Sequence, residues 1–422
     1  MKVLSKSQHL VTGGLLLTYC FFGFPVFSVS KTIKGFRYYF LGLMFLSKKN
    51  RFNDKNKFER ILNRLSDQRK VVSEIWFDHT LGGGTDVYAR RKIEEIRKLN
   101  PIVKIQYISK SNQYIISLID SKSIEFYFAS SLEEVEAVLS LMDFQKLVVN
   151  NLVGYAKVLS VLSMIRSLGG KKKFSVRFNL HDFYSVCPNF NLLYKGQEFC
   201  QLDFSRCEEC LSFVSNEKCN LKLSIFVNEA VSWRDSWLIF FEEVCDQIFV
   251  FSDSSKEIFL KTYPSLESKI RVSPHSMPSL RSVKIEKHEG LNIAFLGAIT
   301  SEAKGYTVVK NLILSNLSDR IKFFVVGEFP ESLNGLKILG RYKLERLPSL
   351  IEEEKIDLII IPSICPETFS YTTSEAIQLD IPVACFDLGA QAEKVKLYKK
   401  GIIFSDMGPM SILRKLKEEF FL

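Results

Sequence analysis

The chain has 422 residues, 46% hydrophobic and 25% charged, which excludes a disordered protein and leaves room for two or three domains. The formal net charge of +10 would suit a nucleic acid or a membrane surface. However, residues 1–70 hold fourteen Lys and Arg residues and three acids, a net charge of +11, so the other 352 residues carry −1. This nearly neutral body lacks the basic face that a nucleic-acid-binding domain needs.

The basic segment comes first along the chain. Residues 10–30 carry no charge and are long enough to span a bilayer, although Gly, Pro, Ser and Thr dilute their apolarity. Residues 35–45, followed by Lys48 and Lys49, combine aromatic and basic side chains, as interfacial helices do. We therefore expect residues 1–70 to bind an anionic membrane surface through an interfacial helix or a membrane anchor. A packed helical arm with solvated cations is the alternative.

From residue 71, short apolar runs alternate with helix-length segments, and this alternation predicts parallel sheets with crossover helices. A polar stretch at 276–290 is interpreted as a linker between two such series. The sequence thus predicts an α/β fold with two Rossmann-like, doubly wound domains that face a cleft. Their ranges are 71–280, with a cysteine-rich insertion at 182–220, and 281–408, followed by a C-terminal helix at 409–422. Strands are predicted at 71–77, 103–108, 124–128, 147–149, 174–178, 247–251, 291–296, 322–326, 336–339, 358–361, 383–386 and 402–404. Helices are predicted at 86–99, 304–314, 344–353, 372–379, 390–397 and 410–421.

Residues 362–376, Pro-Ser-Ile-Cys-Pro-Glu-Thr-Phe-Ser-Tyr-Thr-Thr-Ser-Glu-Ala, carry the strongest chemical pattern. A buried strand ends in a proline turn, which places Glu367 at the carboxyl edge of a sheet. Hydroxyls at 372–374 can cap the next helix, whose free N–H groups suit a diphosphate. Glu375 follows eight positions after Glu367, so the two carboxylates can flank that phosphate site. A capped surface helix with acids near its dipole is the alternative.

This pattern resembles the E-x7-E motif of the family 4 retaining glycosyltransferases, which have the GT-B fold. It is most similar to transferases that build bacterial O-antigen or other surface polysaccharides. The resemblance implies that Glu367 contacts the donor sugar and Glu375 the nucleotide ribose. Ser370 and Asp380 stand where the family has glycine. The implied donor-binding residues of this segment are Phe369, Ser370, Tyr371, Thr372, Thr373 and Glu375.

A second match lies at Gly297, where a predicted strand ends, and at Lys304-Gly305. Glycine permits close approach of a phosphate, and a nearby lysine supplies positive charge. In the family, an arginine and a lysine here neutralise the leaving diphosphate. Lys304 matches that lysine, whereas Ala298 replaces the arginine. Gly340 and Tyr342 fall where the family surrounds the base, and an exposed helix-start lysine is the alternative for Lys304.

In the first domain, Gly82, Gly83, Gly84 and Thr85 join the first strand to the first helix. Glycines let a backbone approach a ligand, and a helix N-terminus favours anions. The loop is neither a Walker A loop nor a complete dinucleotide-binding motif. The resemblance implies that it faces the donor phosphate and the acceptor, and a Rossmann NAD site or a tight turn are the alternatives.

Two histidines follow predicted strands. The resemblance implies that His181, in His181-Asp182, is an active-site residue that contacts the donor sugar or phosphate. His275 resembles part of a Pro-His-Gly stretch near the hinge, and we interpret it as a scaffold residue.

Nine cysteines form no even disulfide framework and indicate a reducing, cytoplasmic compartment. Cys187, Cys200, Cys207 and Cys210 have the spacing C-x12-C-x6-C-x2-C, which suits a tetrahedral structural zinc. Related transferases carry similar cysteines here, and a zinc would brace residues 182–220. Unliganded thiols are the alternative. No D-x-D motif occurs, so we expect catalysis without a metal cofactor.

The resemblance implies a retaining glycosyltransferase that moves a sugar from a nucleotide-diphosphate donor to a lipid-linked or oligosaccharide acceptor. Its catalytic residues would be Glu367, His181 and Lys304. We expect it at the inner face of the plasma membrane, with no nucleic-acid partner. Two alternatives stay open: a sugar-nucleotide epimerase on the same fold, and a non-catalytic subunit that scaffolds polysaccharide assembly. The missing arginine and the altered glycines favour the scaffold alternative.

Overall fold

The computed structural model describes residues 72–216 and 230–420, together with the backbone of five strands between residues 4 and 48. Those strands, β1–β5, pair in sequence order into an antiparallel sheet. The expected helix was therefore wrong there, because glycines recur about every ten residues between aromatic and β-branched runs, as in hairpins. The membrane contacts predicted for residues 1–70, and the span that the length of 10–30 would allow, depend on side chains outside the described residues. The strands are Leu4–Val11, Gly14–Phe21, Phe24–Thr32, Gly35–Phe40 and Leu43–Lys48.

Within residues 72–216 and 230–420, no helix combines the length and the apolarity that crossing a bilayer requires. The chain divides into two compact units. One comprises the chain up to Asn179 together with Phe240–Asp246, and the other comprises Leu180–Ile239 and Gln247–Leu422. Much of the segment 180–280, which the sequence pattern placed in the first domain, thus belongs to the second unit. Hydrogen bonds explain this, since Thr368 Oγ1 donates to the His181 carbonyl oxygen and the Ser254 N–H donates to Glu393.

The first unit contains a sheet with the strand order β11-β10-β6-β7-β8-β9. β6 pairs in parallel with β7 and β10, and β10 with β11, as predicted. The other edge is antiparallel, because β8, which was not predicted, follows a turn in which Asn112 has φ 50°. The elements are β6 Val72–Asp78, α1 Gly83–Ile96, β7 Ile102–Ile108, β8 Gln113–Ile119, β9 Ile124–Ala129, α2 Leu132–Leu141, β10 Phe144–Val149, α3 Val158–Lys171 and β11 Ser175–Asn179.

The second unit begins with short elements that surround the cysteine-rich segment. Two-residue strands β12 and β13 form an antiparallel pair, and β14 pairs in parallel with β15. Helix α6 begins at a serine cap, because Ser252 Oγ accepts the Ser255 N–H at 3.1 Å. The elements are β12 Leu193–Tyr194, β13 Glu198–Phe199, α4 Cys207–Asn216, α5 Ala230–Glu243, β14 Gln247–Val250, α6 Asp253–Thr262 and β15 Ile270–Val272, and the last residues of α5, from Phe240 onward, belong to the first unit.

The C-terminal sheet is entirely parallel, with the strand order β18-β17-β16-β19-β20-β21. This is the doubly wound Rossmann order, and its predicted strands and helices are confirmed. The elements are β16 Leu291–Ala298, α7 Tyr306–Ser315, β17 Ile321–Glu328, β18 Leu336–Ile338, α8 Leu347–Glu353, β19 Leu358–Ile361, α9 Tyr371–Gln378, β20 Val383–Phe386, α10 Gly389–Leu397, β21 Gly401–Phe404 and α11 Pro409–Phe420.

Side chains from both faces of this sheet are buried, as a sheet covered by helices on both sides requires. Along β16, Ile293 and Phe295 belong to one apolar cluster, whereas Ala294 and Leu296 belong to another. Val283 joins the second cluster, and its N–H bonds the Leu379 carbonyl oxygen at 3.0 Å. The polar stretch predicted as a linker therefore packs against this sheet.

Candidate functional site

The loops that follow β16 and β19 diverge at the carboxyl edge of the C-terminal sheet. The two strands are neighbours, but β16 continues to β17 on one side and β19 continues to β20 on the other. Loops at such a switch point leave a crevice between them. Lys304 lies on the first loop and Glu367 on the second, so the fold brings together two residues that the sequence singled out.

Glu367 is a nearly buried carboxylate with charged and neutral donors. The Lys304 Nζ and Ser363 Oγ atoms donate to its Oε1 at 2.6 and 2.5 Å. Its side chain is 11% exposed, whereas that of Lys304 is 47% exposed. Burial raises the pKa of Glu367, but Lys304 and the hydroxyl bonds outweigh it and hold that pKa at about 2. Glu367 is therefore ionised at neutral pH.

Lys304 reaches Glu367 because the β16–α7 loop passes very close to the turn after β19. Gly305 has φ 79°, and a Cβ atom there would lie 2.0 Å from the Pro362 carbonyl oxygen. Only glycine fits this position. Burial opposes the charge on Lys304, but the Glu367 carboxylate raises the pKa of this lysine overall, so both partners are charged.

The start of α10 holds the backbone of Glu367. The Glu367 N–H donates to Gln391 Oε1 at 3.0 Å, and the Ala390 N–H donates to the Glu367 carbonyl oxygen at 2.9 Å. A Cβ atom at Gly389 would lie 2.6 Å from the Glu367 nitrogen. The sequence analysis missed both Gln391, which lies 24 residues after Glu367, and Ser363, which lies four residues before it in the same loop.

Ser370 sits in a left-handed turn immediately before α9. Its φ is 57°, and its Oγ lies 2.7 Å from Thr373 Oγ1. Asp380, which follows the same helix, has φ 59°. Both residues replace glycines of the resembling family, and both keep the backbone conformation that favours glycine.

Lys394 braces this turn and was not predicted. Its Nζ donates to the Phe369 carbonyl oxygen and, at 2.7 Å, to Ser374 Oγ, and it lies 3.5 Å from the centre of the Phe369 ring. Burial lowers the pKa of Lys394 to about 8, while the charges of Glu367 and Glu393 act in the opposite direction. A half-buried cation thus holds the backbone from which α9 begins.

Glu375 projects from α9 to Tyr342, whose hydroxyl donates to Glu375 Oε2 at 2.6 Å. Near Tyr342, Gly340 has φ 79°. At the end of β16, a Cβ atom on Gly297 would lie 3.1 Å from Thr372 Cγ2. Phe369 and Thr373 are buried and Tyr371 is half-buried. The structure therefore gathers the predicted donor-binding residues around the first turns of α9.

His181 adjoins the same loop through its backbone. Its carbonyl oxygen accepts a hydrogen bond from Thr368 Oγ1 at 2.8 Å, and its ring stacks on Phe251 with centroids 4.6 Å apart.

His275 is buried, its Nδ1 lies 2.7 Å from the Tyr371 hydroxyl, and its ring lies 4.5 Å from that of Phe369. These contacts are those of a residue that supports the site from beneath.

In the first unit, the predicted glycine loop follows β6, which lies between β7 and β10. Gly82 and Gly83 have φ 83° and 78°, and a Cβ atom at either would meet no atom within 4 Å. Gly84 is exposed and Thr85 is half-buried. The loop therefore leaves open space in front of the N-terminus of α1.

The four cysteines predicted as zinc ligands line one small cavity of the second unit, together with Asn189, Tyr194 and Arg206. All four are free thiols. Among the described residues, no three Cys, His, Asp or Glu side chains are already placed as metal ligands must be. The four cysteines therefore line the same cavity, but their sulfur atoms are not arranged around one metal position.

No protein-family model matches this sequence, and no curated protein does. Solved structures are similar in fold. Sucrose-phosphate synthase from Thermosynechococcus elongatus has 12% sequence identity and a TM-score of 0.52, over 82% of this chain and 90% of that chain. A glycosyltransferase from Rickettsia africae ESF-5 has 14% identity and a TM-score of 0.49, over 83% and 88%. Anabaena HepE in complex with UDP and glucose has 11% identity and a TM-score of 0.48, over 83% and 90%. The predicted fold class is confirmed: the chain has the GT-B fold, with two Rossmann-like units.

Proposed function

We propose that this chain is a retaining glycosyltransferase of family 4 type that takes its sugar from a nucleotide diphosphate. The observation that carries the proposal is the ionised Glu367 carboxylate at the switch point of a Rossmann sheet, paired with Lys304 beside the start of α9. The GT-B fold, which the chain shares with sucrose-phosphate synthase, supports it.

In this proposal the N–H groups of the first turn of α9 and the Lys304 ammonium bind the diphosphate. Lys304 has the freedom to do so, because its side chain is half-exposed while Glu367 is held by Ser363 as well. Glu367 accepts hydroxyls of the donor sugar. Glu375, oriented by the Tyr342 hydroxyl, accepts the ribose hydroxyls.

The transfer step breaks the bond between the sugar C1 and the diphosphate oxygen, and the electron pair stays on that oxygen. The acceptor hydroxyl oxygen forms its bond to C1 on the same face of the sugar, so the anomeric configuration is retained. The acceptor proton passes to the leaving phosphate oxygen. Lys304 and the α9 N–H groups stabilise the charge that develops there, a role that needs no metal ion. His181 contacts the donor sugar or phosphate.

The acceptor in this proposal is lipid-linked or an oligosaccharide, in surface polysaccharide synthesis at the cytoplasmic face of the membrane. The charge of +11 on residues 1–70 supports it, since an anionic leaflet attracts such a segment. Co-sedimentation of the full chain with vesicles, with and without anionic lipid, tests this. Equal binding to neutral and anionic vesicles would contradict it.

A thermal-shift screen with UDP-, GDP- and ADP-sugars identifies the donor, and a transfer assay with that donor follows. We expect Lys304→Met to lower kcat about 10–100-fold, because the leaving diphosphate loses a cation. Lys337→Met is the matched control, since Lys337 pairs with Glu354 on the surface. If no nucleotide sugar stabilises the protein, or if Lys304→Met turns over like wild type, the enzyme proposal is wrong. A donor that binds without being consumed would favour the scaffold alternative.

A further inference from the structure

The cysteine-rich segment has few buried side chains and little regular secondary structure. Between Cys187 and Glu209, only Pro188, Leu192 and Leu193 are buried. The regular structure there is two strands of two residues and one short 3₁₀ turn before α4. A segment with so small a core requires another source of stability, and in small folds a metal often provides it.

Backbone N–H groups are aimed at three of the four sulfurs in the cavity. The Lys195 N–H donates to Cys210 Sγ at 3.3 Å. Asn189 and Leu202 donate their backbone N–H groups to the sulfurs of Cys187 and Cys200, each from two positions further along the chain. Such bonds stabilise a thiolate more than a thiol, and they are typical of the groups that surround a metal-bound cysteine.

The fourth sulfur belongs to Cys207, and the Arg234 guanidinium lies 3.6 Å from it. Cys207 and Cys210 occupy the first turn of α4, three residues apart and therefore on one face of the helix. A helix N-terminus favours thiolates. Each of the four sulfurs thus accepts a hydrogen bond from an N–H group of the surrounding segment or of Arg234.

We propose that Cys187, Cys200, Cys207 and Cys210 bind one structural Zn²⁺ in this cavity as a tetrahedral set of four thiolates. Four soft sulfur ligands favour zinc over the oxygen-seeking ions Mg²⁺ and Ca²⁺. Binding draws the sulfurs inward to the ion, closing the space that they now line, and releases their protons to solvent. A single iron ion can be bound by the same four thiolates, so the experiment below measures both zinc and iron.

The site would fix the loop that carries His181. The Trp233 indole donates to the Tyr184 carbonyl oxygen at 2.7 Å, and the Tyr263 hydroxyl donates to the Ser185 carbonyl oxygen at 2.6 Å. These bonds hold the middle of the segment that begins at His181, whose carbonyl oxygen accepts Thr368 Oγ1. The metal would hold the part of the segment that follows, from Cys187 onward. This consequence rests on the proposed function, whereas the metal site itself does not.

The test is elemental analysis of the full chain purified without chelator from zinc-replete cells. We expect about one equivalent of zinc and less than about a tenth of an equivalent of iron. Replacement by Co²⁺ should give the intense visible absorption of a tetrahedral cobalt thiolate. Less than about half an equivalent of zinc, or iron in its place, would overturn the proposal.

The double variant Cys207→Ser/Cys210→Ser should lose the zinc, and Cys245→Ala, a buried thiol away from the cavity, should keep it. Retention of a full equivalent by the double variant would also overturn the proposal. Should the double variant fail to fold, a high-affinity chelator applied to wild type gives the answer. The proposal expects zinc release together with a lower Tm, and an unchanged Tm after complete release contradicts a structural role. Metal content is measured without any donor sugar, so it stands or fails independently of transferase activity.

Discussion

Each unit has a lysine–carboxylate pair near the carboxyl edge of its parallel strands, but the two pairs are built differently. Asp78 is fully buried, and its carboxylate lies 2.8 Å from Lys104 Nζ and accepts Asn150 Nδ2 at 2.9 Å. Glu367 is 11% exposed, and its partner Lys304 is 47% exposed. The first pair is sealed inside the fold, whereas the second has a cation that is able to turn towards a ligand. Similar chemistry at similar places therefore serves stability in one unit and, we propose, binding in the other.

The glycines differ in the same sense. Gly82 and Gly83 need their left-handed backbone, but their Cα atoms face open space. Gly305 and Gly389 are crowded by backbone atoms of the Glu367 loop. In the first unit the glycines leave room for something outside the chain, and in the second they allow two loops of the chain to touch.

The largest effect is expected from breaking the sealed pair. Asp78→Asn should lower the free energy of unfolding by about 3–5 kcal/mol, because Lys104 is left as a buried, uncompensated charge. Chemical denaturation of the purified variant measures it. A loss below about 1 kcal/mol would show that the first pair is not the structural one.

The two kinds of glycine separate in a second experiment. Gly305→Ala should destabilise the protein by about 3 kcal/mol or more, for two reasons. The added Cβ would clash with the Pro362 carbonyl oxygen, and alanine would be strained at the positive φ of this position. Gly82→Ala should cost about 1 kcal/mol, because only the backbone conformation is penalised. Thermal or denaturant unfolding measures both variants. Equal losses of unfolding free energy would contradict the distinction between crowded and open glycines.

The pKa of Glu367 gives a pH-dependent difference. Its folded pKa of about 2 lies below the ordinary value of 4.5, so its contribution is fully present above pH 4.5 and is lost as the pH falls towards 2. Wild type should therefore exceed Glu367→Gln in unfolding free energy by about 2–3 kcal/mol at pH 7, and this gap should shrink between pH 4.5 and 2. A gap that stays constant down to pH 2.5 would contradict the depressed pKa.

The smallest effect concerns the left-handed residue after α9. Asp380→Gly should raise Tm by about 1–3 °C, because glycine tolerates φ 59° and the ion pair of Asp380 with Lys400 is exposed. Differential scanning fluorimetry measures it. A lower Tm would mean that the ion pair outweighs the backbone relief.

Much of the second unit could be predicted because its signals are local. The apolar run 358–361, the proline turn and the hydroxyl-rich helix start place Glu367 and α9 from neighbouring residues alone. The hairpin at Asn112 was missed because β8 lacks the strict alternation that marks a half-buried strand. Gln391 and Lys394 were missed for a different reason, since each contacts the Glu367 loop from more than 20 residues further along the chain. Ser363 lies only four residues before Glu367, but the conformation of the loop, which turns its hydroxyl to the carboxylate, is not visible in the sequence.

The proposed transferase activity depends most directly on Glu367, so the decisive measurement is the turnover of a variant that lacks this carboxylate. With the donor that the thermal-shift screen identifies, kcat/KM of Glu367→Gln should fall about 100-fold or more, because a neutral amide replaces the carboxylate that holds the donor sugar. Glu354→Gln should stay within about twofold of wild type, since the carboxylate of that residue pairs with the exposed Lys337 and not with the Glu367 loop. If folded Glu367→Gln transfers sugar as fast as wild type, Glu367 is not part of an active site and the transferase proposal is wrong.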